Sequence, residues 1–237
     1  MEDDMRMRTG LFLLVFTAIL AGLSAVAQAQ ERRITVVGEG RVLSVPDIAY
    51  VTLGVSEEAR TAGEALAAMS IAGEAILARV AAAGIEPRHV QTSGLNLWPV
   101  HDHSSQGRPK VVGFAASTEY TIRVDDLEGL GGLLDEIVSA GANQLNGVRF
   151  DVSDPRPMED AARRDAVLDA RAKAELFADA AGVTLGEVVT LDEIVSGGRP
   201  MPMMEMRMMD AASDGVPLAE GEVAVEARVT MVFAIAG

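Results

Sequence analysis

The sequence predicts an α+β fold, a mainly antiparallel sheet with helices packed on one face. Three observations carry this. Several stretches alternate apolar and polar residues with a period of two, most clearly Gly113 to Val124. Three others, near 61–83, 125–140 and 155–181, repeat apolar residues every three to four positions, as one face of a helix does. Their order is β-β-α-β-β-α-β-α-β-β, and strands that come in pairs between helices favour antiparallel pairing. The β-α-β-β-α-β portion resembles a split βαβ arrangement.

The chain begins with Arg6 and Arg8, an apolar run from Leu11 to Leu23, and small residues that twice fit an A-x-A rule, at Ala25-Val26-Ala27 and Ala27-Gln28-Ala29. That pattern predicts a secretory signal peptide over residues 1–29, leaving Gln30-Glu31-Arg32 at the mature start. No later segment reads as a membrane span, so no stable span is expected after cleavage. With no cysteine, disulfides, thiol chemistry and a lipoprotein anchor are excluded. Residues 1–29 hold three acids and two bases, so removing them takes the chain from −15 to −14. Such a surface argues against nucleic acid and anionic membranes as partners.

In chain order, Ile34, Val36, Gly38, Gly40 and Val42 form the apolar or bare face of a first strand. Gly38 and Gly40 predict a bulge or a close approach by another backbone. Ala49, Val51, Leu53 and Val55 form one face of a second strand, and Pro46-Asp47 between the two predicts a β-hairpin. The Gly38-Glu39-Gly40 triplet lacks the rest of a phosphate loop. Thr61 to Ala83 is helical, with a stripe of Leu66, Met69, Gly73, Ile76 and Val80, closed by Gly84 with Pro87 beyond.

Val90 to Val100 reads as a third strand ending near Pro99, followed by a polar loop from His101 to Lys110. In the fourth strand Phe114, Ala116, Thr118, Tyr120, Ile122 and Val124 share a face. Asp125 and Glu128 predict a capping box for a helix to Ala140, with Leu127, Leu130, Leu134 and Ile137 inward. Asn146-Gly147 marks a turn or bulge before Val148, Phe150 and Val152. Pro155 and Pro157 open a long helix to about Ala181, with Ala162, Ala166, Ala170, Ala174, Phe177 and Ala181 on one face and mixed charge elsewhere, a solvated surface. Val183 to Ile194 is a further strand. Residues 196–221, rich in Gly, Pro and Met and without periodicity, read as a mobile loop. Val223, Val225, Ala227, Val229, Met231 and Phe233 line the last strand.

Several stretches together resemble the SIMPL domain of YggE-like envelope proteins: GEGRVLSVPDIAYVTLGV, GIEPRHVQTSGLNLWPV, VVGFAASTEYTIRVDDLEGLGGLLDEIVSAGANQLNGVRF, DAVLDARAKAELFADAAGVTLGEVV and GEVAVEARVTMVF. Their order and spacing extend the resemblance over residues 30–237. It implies an exported periplasmic α+β protein prone to self-association, hence a homo-oligomer, with an envelope protein as a further partner. It also implies a link to oxidative-stress tolerance and envelope maintenance. It supplies no catalytic or binding residue and no cofactor.

The most unusual chemistry lies at Met201, Met203, Met204, Met206, Met208 and Met209, six thioethers in nine positions. Soft sulfur ligands select Cu(I), methionines also consume oxidants, and a Met-rich segment can simply be an adaptable cover. His101-Asp102-His103 could hold a divalent metal, but with His89 as the remaining histidine it reads as a surface loop. Trp98 reads as a packing residue or subunit contact. The chain has no G-x-S-x-G, no H-E-x-x-H and no cysteine nucleophile, so the sequence points to a non-enzymatic interaction module.

Overall fold

The computed structural model describes residues 32–102, 109–194, 201–203, 216 and 218–236. The expected signal peptide lies outside them. The elements are β1 (Arg33–Ser44), β2 (Ile48–Ala59), α1 (Ala62–Ala82), a 3-10 turn (Pro87–His89), β3 (Val90–Asp102), β4 (Lys110–Val124), α2 (Leu130–Ser139), β5 (Gln144–Asp151), α3 (Arg156–Ala181), β6 (Thr184–Glu193), β7 (Met201–Met203) and β8 (Glu222–Ala236).

They build two antiparallel sheets. One has the order β1-β8-β6, with β7 also on β8; the other has the order β3-β4-β2-β5. The second sheet and its helices follow the chain order β2-α1-β3-β4-α2-β5, the split βαβ arrangement that the pattern suggested. This unit is inserted between β1 and the remainder of the first sheet.

The predicted β1–β2 hairpin does not form. β1 pairs with β8 from Arg33↔Ala234 to Ser44↔Val223, while β2 pairs with β4 and β5. The Pro46-Asp47 step passes the chain from one sheet to the other. Pro46 is buried. The Asp47 N–H donates to the Asp151 carbonyl, and the Asp47 carboxylate accepts from the Ser153 N–H (2.6 Å) and hydroxyl (2.5 Å). Both crossings between the sheets, at 45–47 and 152–155, are therefore tied together. Those Ser153 bonds hold the Asp47 carboxyl below the usual carboxylate range.

Each sheet has its own core. On the inserted sheet, Val51, Leu53 and Val55 of β2 and Tyr120 and Ile122 of β4 pack against Met69, Ile76 and Val80 of α1 and Leu130, Leu134 and Ile137 of α2. α1 starts with a complete capping box, Thr61 accepting from the Glu64 N–H and Glu64 from the Thr61 N–H. Its stripe begins at Ala65; the expected Leu66 faces solvent, because Ala65 lies one helical step of four before Met69. α1 also corrects the expectation of no further span. Among the described residues it alone is long and apolar enough to cross a membrane, although its stripe is spent on this core.

α2 starts at Leu130, later than predicted, and the Asp125–Glu128 box is absent. Asp126 instead accepts from the Gly129 N–H, and Asp125 is engaged by Arg123. Asn146-Gly147 is a bulge within β5, opposite Thr52 and Leu53, with Gly147 at φ +152°.

On the first sheet, α3 packs Ala166, Ala170 and Ala174 against Val36 of β1 and Val229, Met231 and Phe233 of β8. The small stripe runs Ala162, Ala166, Ala170, Ala174, Ala178; Phe177 and Ala181 fall outside it, because the contact follows steps of four. The approach is close. A Cβ on Gly38 would lie 2.0 Å from the Ala166 carbonyl oxygen, and one on Gly40 1.9 Å from that of Ala162. The two glycines thus answer the expected close approach of another backbone.

Candidate functional site

The methionine segment is only partly a loop. Its Met201–Met203 portion forms β7, pairing Met201↔Ala224, Pro202↔Val223 and Met203↔Glu222. This corrects the loop reading there: β8 extends past the end of β6 and leaves an edge that three residues can occupy. Met204, Met206, Met208 and Met209 lie outside the described residues, as does His103. His101 and Asp102 sit in β3 rather than in a loop, with Asp102 opposite Lys110. Among the described residues no group of three His, Cys, Asp or Glu side chains is placed to hold a metal.

A cleft of about 250 Å³ opens between the end of α1, the 3-10 turn, the end of β4 and the start of α2. His89, Arg123 and Asp125 converge there, although His89 is far from the others in sequence. The pairing Val90↔Ile122 brings them together. The Arg123 Nε donates to Asp125 at 2.9 Å, and His89 Nδ1 lies 3.6 Å from the same carboxylate. No Ser, Thr or Cys lines the cleft, so it offers no side-chain hydroxyl or thiol nucleophile. Neither residue pattern nor spacing marks this cluster in the sequence; only strand register creates it.

The sheet edges differ sharply. The outer edge of β1 is closed by α3. The Glu39 N–H donates to Asp169 (2.8 Å), and Lys173 Nζ donates to the Val37 carbonyl (3.0 Å) while pairing with Asp169 at 2.6 Å. Lys173 and then the Glu39 N–H hold the Asp169 carboxyl below the usual range. These two charges, expected to be a solvated face, cap a strand instead. At the far side Arg163 bonds Glu193, which with its neighbouring acids raises the guanidinium further above its ordinary value.

β5 is the outer strand of the inserted sheet on one side. It is short, bulged at Gly147, and carries Arg149 and Asp151 paired to each other. β3, on the other side, is 13 residues long and exposes Leu95, Leu97 and Trp98. β6 exposes Val188, Val189 and Leu191. Long apolar outer strands are templates for pairing with another chain. The Ala-rich face of α3, by contrast, is spent within the fold, so the outer strands are the surfaces left for association.

A family model described as SIMPL, protein of unknown function (DUF541), matches residues 34–233. The 26 kDa periplasmic immunogenic protein of Brucella melitensis is 39% identical over 214 residues, covering 87% of this chain and 86% of its own. The uncharacterized protein YggE of Edwardsiella ictaluri is 29% identical over 197 residues, 81% and 82% of the two chains. YggE of Escherichia coli K12 is 28% identical over 206 residues, 85% and 83%.

Proposed function

The chain belongs to the SIMPL family, and from that premise we propose that it is an exported periplasmic protein without catalytic activity that self-associates as an interaction or scaffold module. The observation that carries this is the contrast between sheet edges. β1 and β5 are closed or blunted, while β3 and β6 are left long, apolar and unpaired. The A-x-A leader and the printed name of the Brucella relative support the compartment. A role in envelope or oxidative-stress tolerance follows from the family resemblance.

Light scattering on the protein from Gln30 onward tests the core of this reading. The expected mass is well above that of one chain. A monomer at tens of micromolar, where subunits held by roughly 6 kcal/mol or more should assemble, refutes it. N-terminal sequencing of the exported form should begin near Gln30, and an intact leader in a membrane fraction would refute cleavage. Loss of the gene should lower survival in hypochlorite; equal survival would remove the stress role. The copper reading of Met201, Met203, Met204, Met206, Met208 and Met209 is separated by titration, since stoichiometric Cu(I) binding lost on replacing all six with Leu would establish it over the scaffold reading.

A further inference from the structure

We propose that self-association is heterologous: a β-arm of one copy, formed by Pro99–Asp102 and Lys110–Gly113, lies along the free edge of β6 in a second copy. This rests on the self-association reading and names its surfaces.

The arm is visible in the strand register. β2 ends opposite Phe114 at Ala59, whereas β3 and β4 continue together through Val100↔Gly113, His101↔Val111 and Asp102↔Lys110. Beyond Phe114 this ribbon has no third strand. Two strands alone are marginal in water and gain from cover. Yet the ribbon and its root expose Leu97, Trp98, Val111 and Val112. The receiving surface offers the matching deficit. β6 has one neighbour, β8, and exposes Val188, Val189 and Leu191, with Ile194 just beyond.

Elimination and charge favour this pairing over others. β1 has its edge groups taken by Asp169 and Lys173, and β5 is short, bulged and charged. That leaves β3 on one sheet and β6 on the other. The hairpin from Pro99 to Gly113 contains two bases, Arg108 and Lys110, against one acid, Asp102. β6 contains Glu187, Asp192 and Glu193 and no base. In a chain of charge −15, a copy meeting another copy gains from bringing these two segments together. Main-chain bonds along a strand edge would supply the affinity. Because the two surfaces differ, each copy keeps a free arm and a free edge, and the assembly closes as a ring or runs on as a filament.

The absence of cysteine makes the test direct. Val112→Cys and Val189→Cys are placed singly in differently tagged full-length mature chains, both at exposed positions. The chains are mixed and treated with a flexible bis-maleimide. The expected result is links between the two kinds of chain, none within either kind alone, and a ladder beyond the dimer when one chain carries both changes. Linking of Val112→Cys chains to each other would show a symmetric arm-to-arm contact and overturn the proposal. So would absence of mixed links while light scattering still shows an oligomer. A wild-type monomer would instead refute the self-association reading itself. As an independent measure, Val112→Glu should raise the concentration for half-assembly by about tenfold or more, through like charge against β6, while Val112→Lys should not. Equal weakening by the two would overturn the assignment of β6 as the receiving edge.

Discussion

Substituting Gly40 by Ala should be among the most damaging single-methyl additions available to this chain. The added Cβ would sit 1.9 Å from the Ala162 carbonyl oxygen and 2.6 Å from the Ala166 nitrogen, both backbone atoms of α3. Ordinary contact begins at 3.4 Å, so the helix must withdraw by about 1.5 Å at that point. Withdrawal separates Ala166, Ala170 and Ala174 from Val36, Met231 and Phe233. It also pulls Asp169 and Lys173 away from the β1 edge. Overpacking of this kind costs about 3 kcal/mol, or about 6–12 °C in Tm for a chain of this size. Gly38→Ala meets the Ala166 oxygen at 2.0 Å and should cost as much. The double substitution should cost less than the two added, since one helix displacement relieves both. Gly63→Ala is the control. It lies in α1 with nothing within 4 Å of its Cβ, and should stabilise by about 0.5 kcal/mol. Urea and thermal unfolding of the four variants read the whole set. Gly40→Ala melting with wild type would refute the view that these glycines set the distance between helix and sheet.

Three further outcomes are expected. Thr61→Ala removes the reciprocal cap on α1 and should cost about 1 kcal/mol in urea unfolding, with no change in the slope of the transition. Asp47→Ala should cost about 1 kcal/mol or less at neutral pH, since the carboxylate is exposed and solvent-screened. Because the Ser153 bonds depress the folded-state pKa, that contribution is present above the ordinary value of 3.8 and is lost as pH falls through the lower one. The gap between the two unfolding curves should therefore be constant down to pH 4 and close below it; a gap that widened in acid would contradict the assignment. Met69 and Met231, at 5% and 3% exposure, should resist peroxide until the chain is unfolded in urea, as peptide mass spectrometry would reveal; oxidation of either in the native protein would contradict the two cores.

Local alternation was a sound guide to which side chains point inward. Ala49, Val51, Leu53 and Val55 are all buried, as are Ala116, Thr118, Tyr120, Ile122 and Val124. It carried no information on partners. A period of two is satisfied equally by a hairpin and by two strands in different sheets, which is why the Pro46-Asp47 step was misread. Helix stripes were legible to within one residue. The errors at Leu66 and Phe177 share a cause: large apolar side chains look like core residues, but the close-packed contacts here take alanine at the neighbouring position. Charged residues were the least legible. Asp169 and Lys173 satisfy an ordinary i,i+4 pattern, and only the fold places them over an unpaired strand edge. The cluster of His89, Arg123 and Asp125 was equally hidden, being a product of register between β3 and β4.

The insertion of one sheet between the first and last strands of the other has a consequence for the order of folding. β2 to β5 form a contiguous stretch whose pairings close within about 100 residues, and it can assemble as soon as β5 has been made. β1 cannot. Its partner β8 arrives last, with Val36 meeting Met231 across about 195 residues of chain. Loop closure on that scale is slow, although its entropic cost grows only logarithmically with length. The inserted unit shortens the effective loop, since Asp47 and Ser153 bring its entry and exit together once it has folded. Until β8 appears, β1 remains an unpaired strand carrying Ile34, Val36 and Val37, and α3 has no complete sheet to cover. The first strand made is thus among the last to find its place, and a chain truncated before Glu222 would keep one sheet and lose the other.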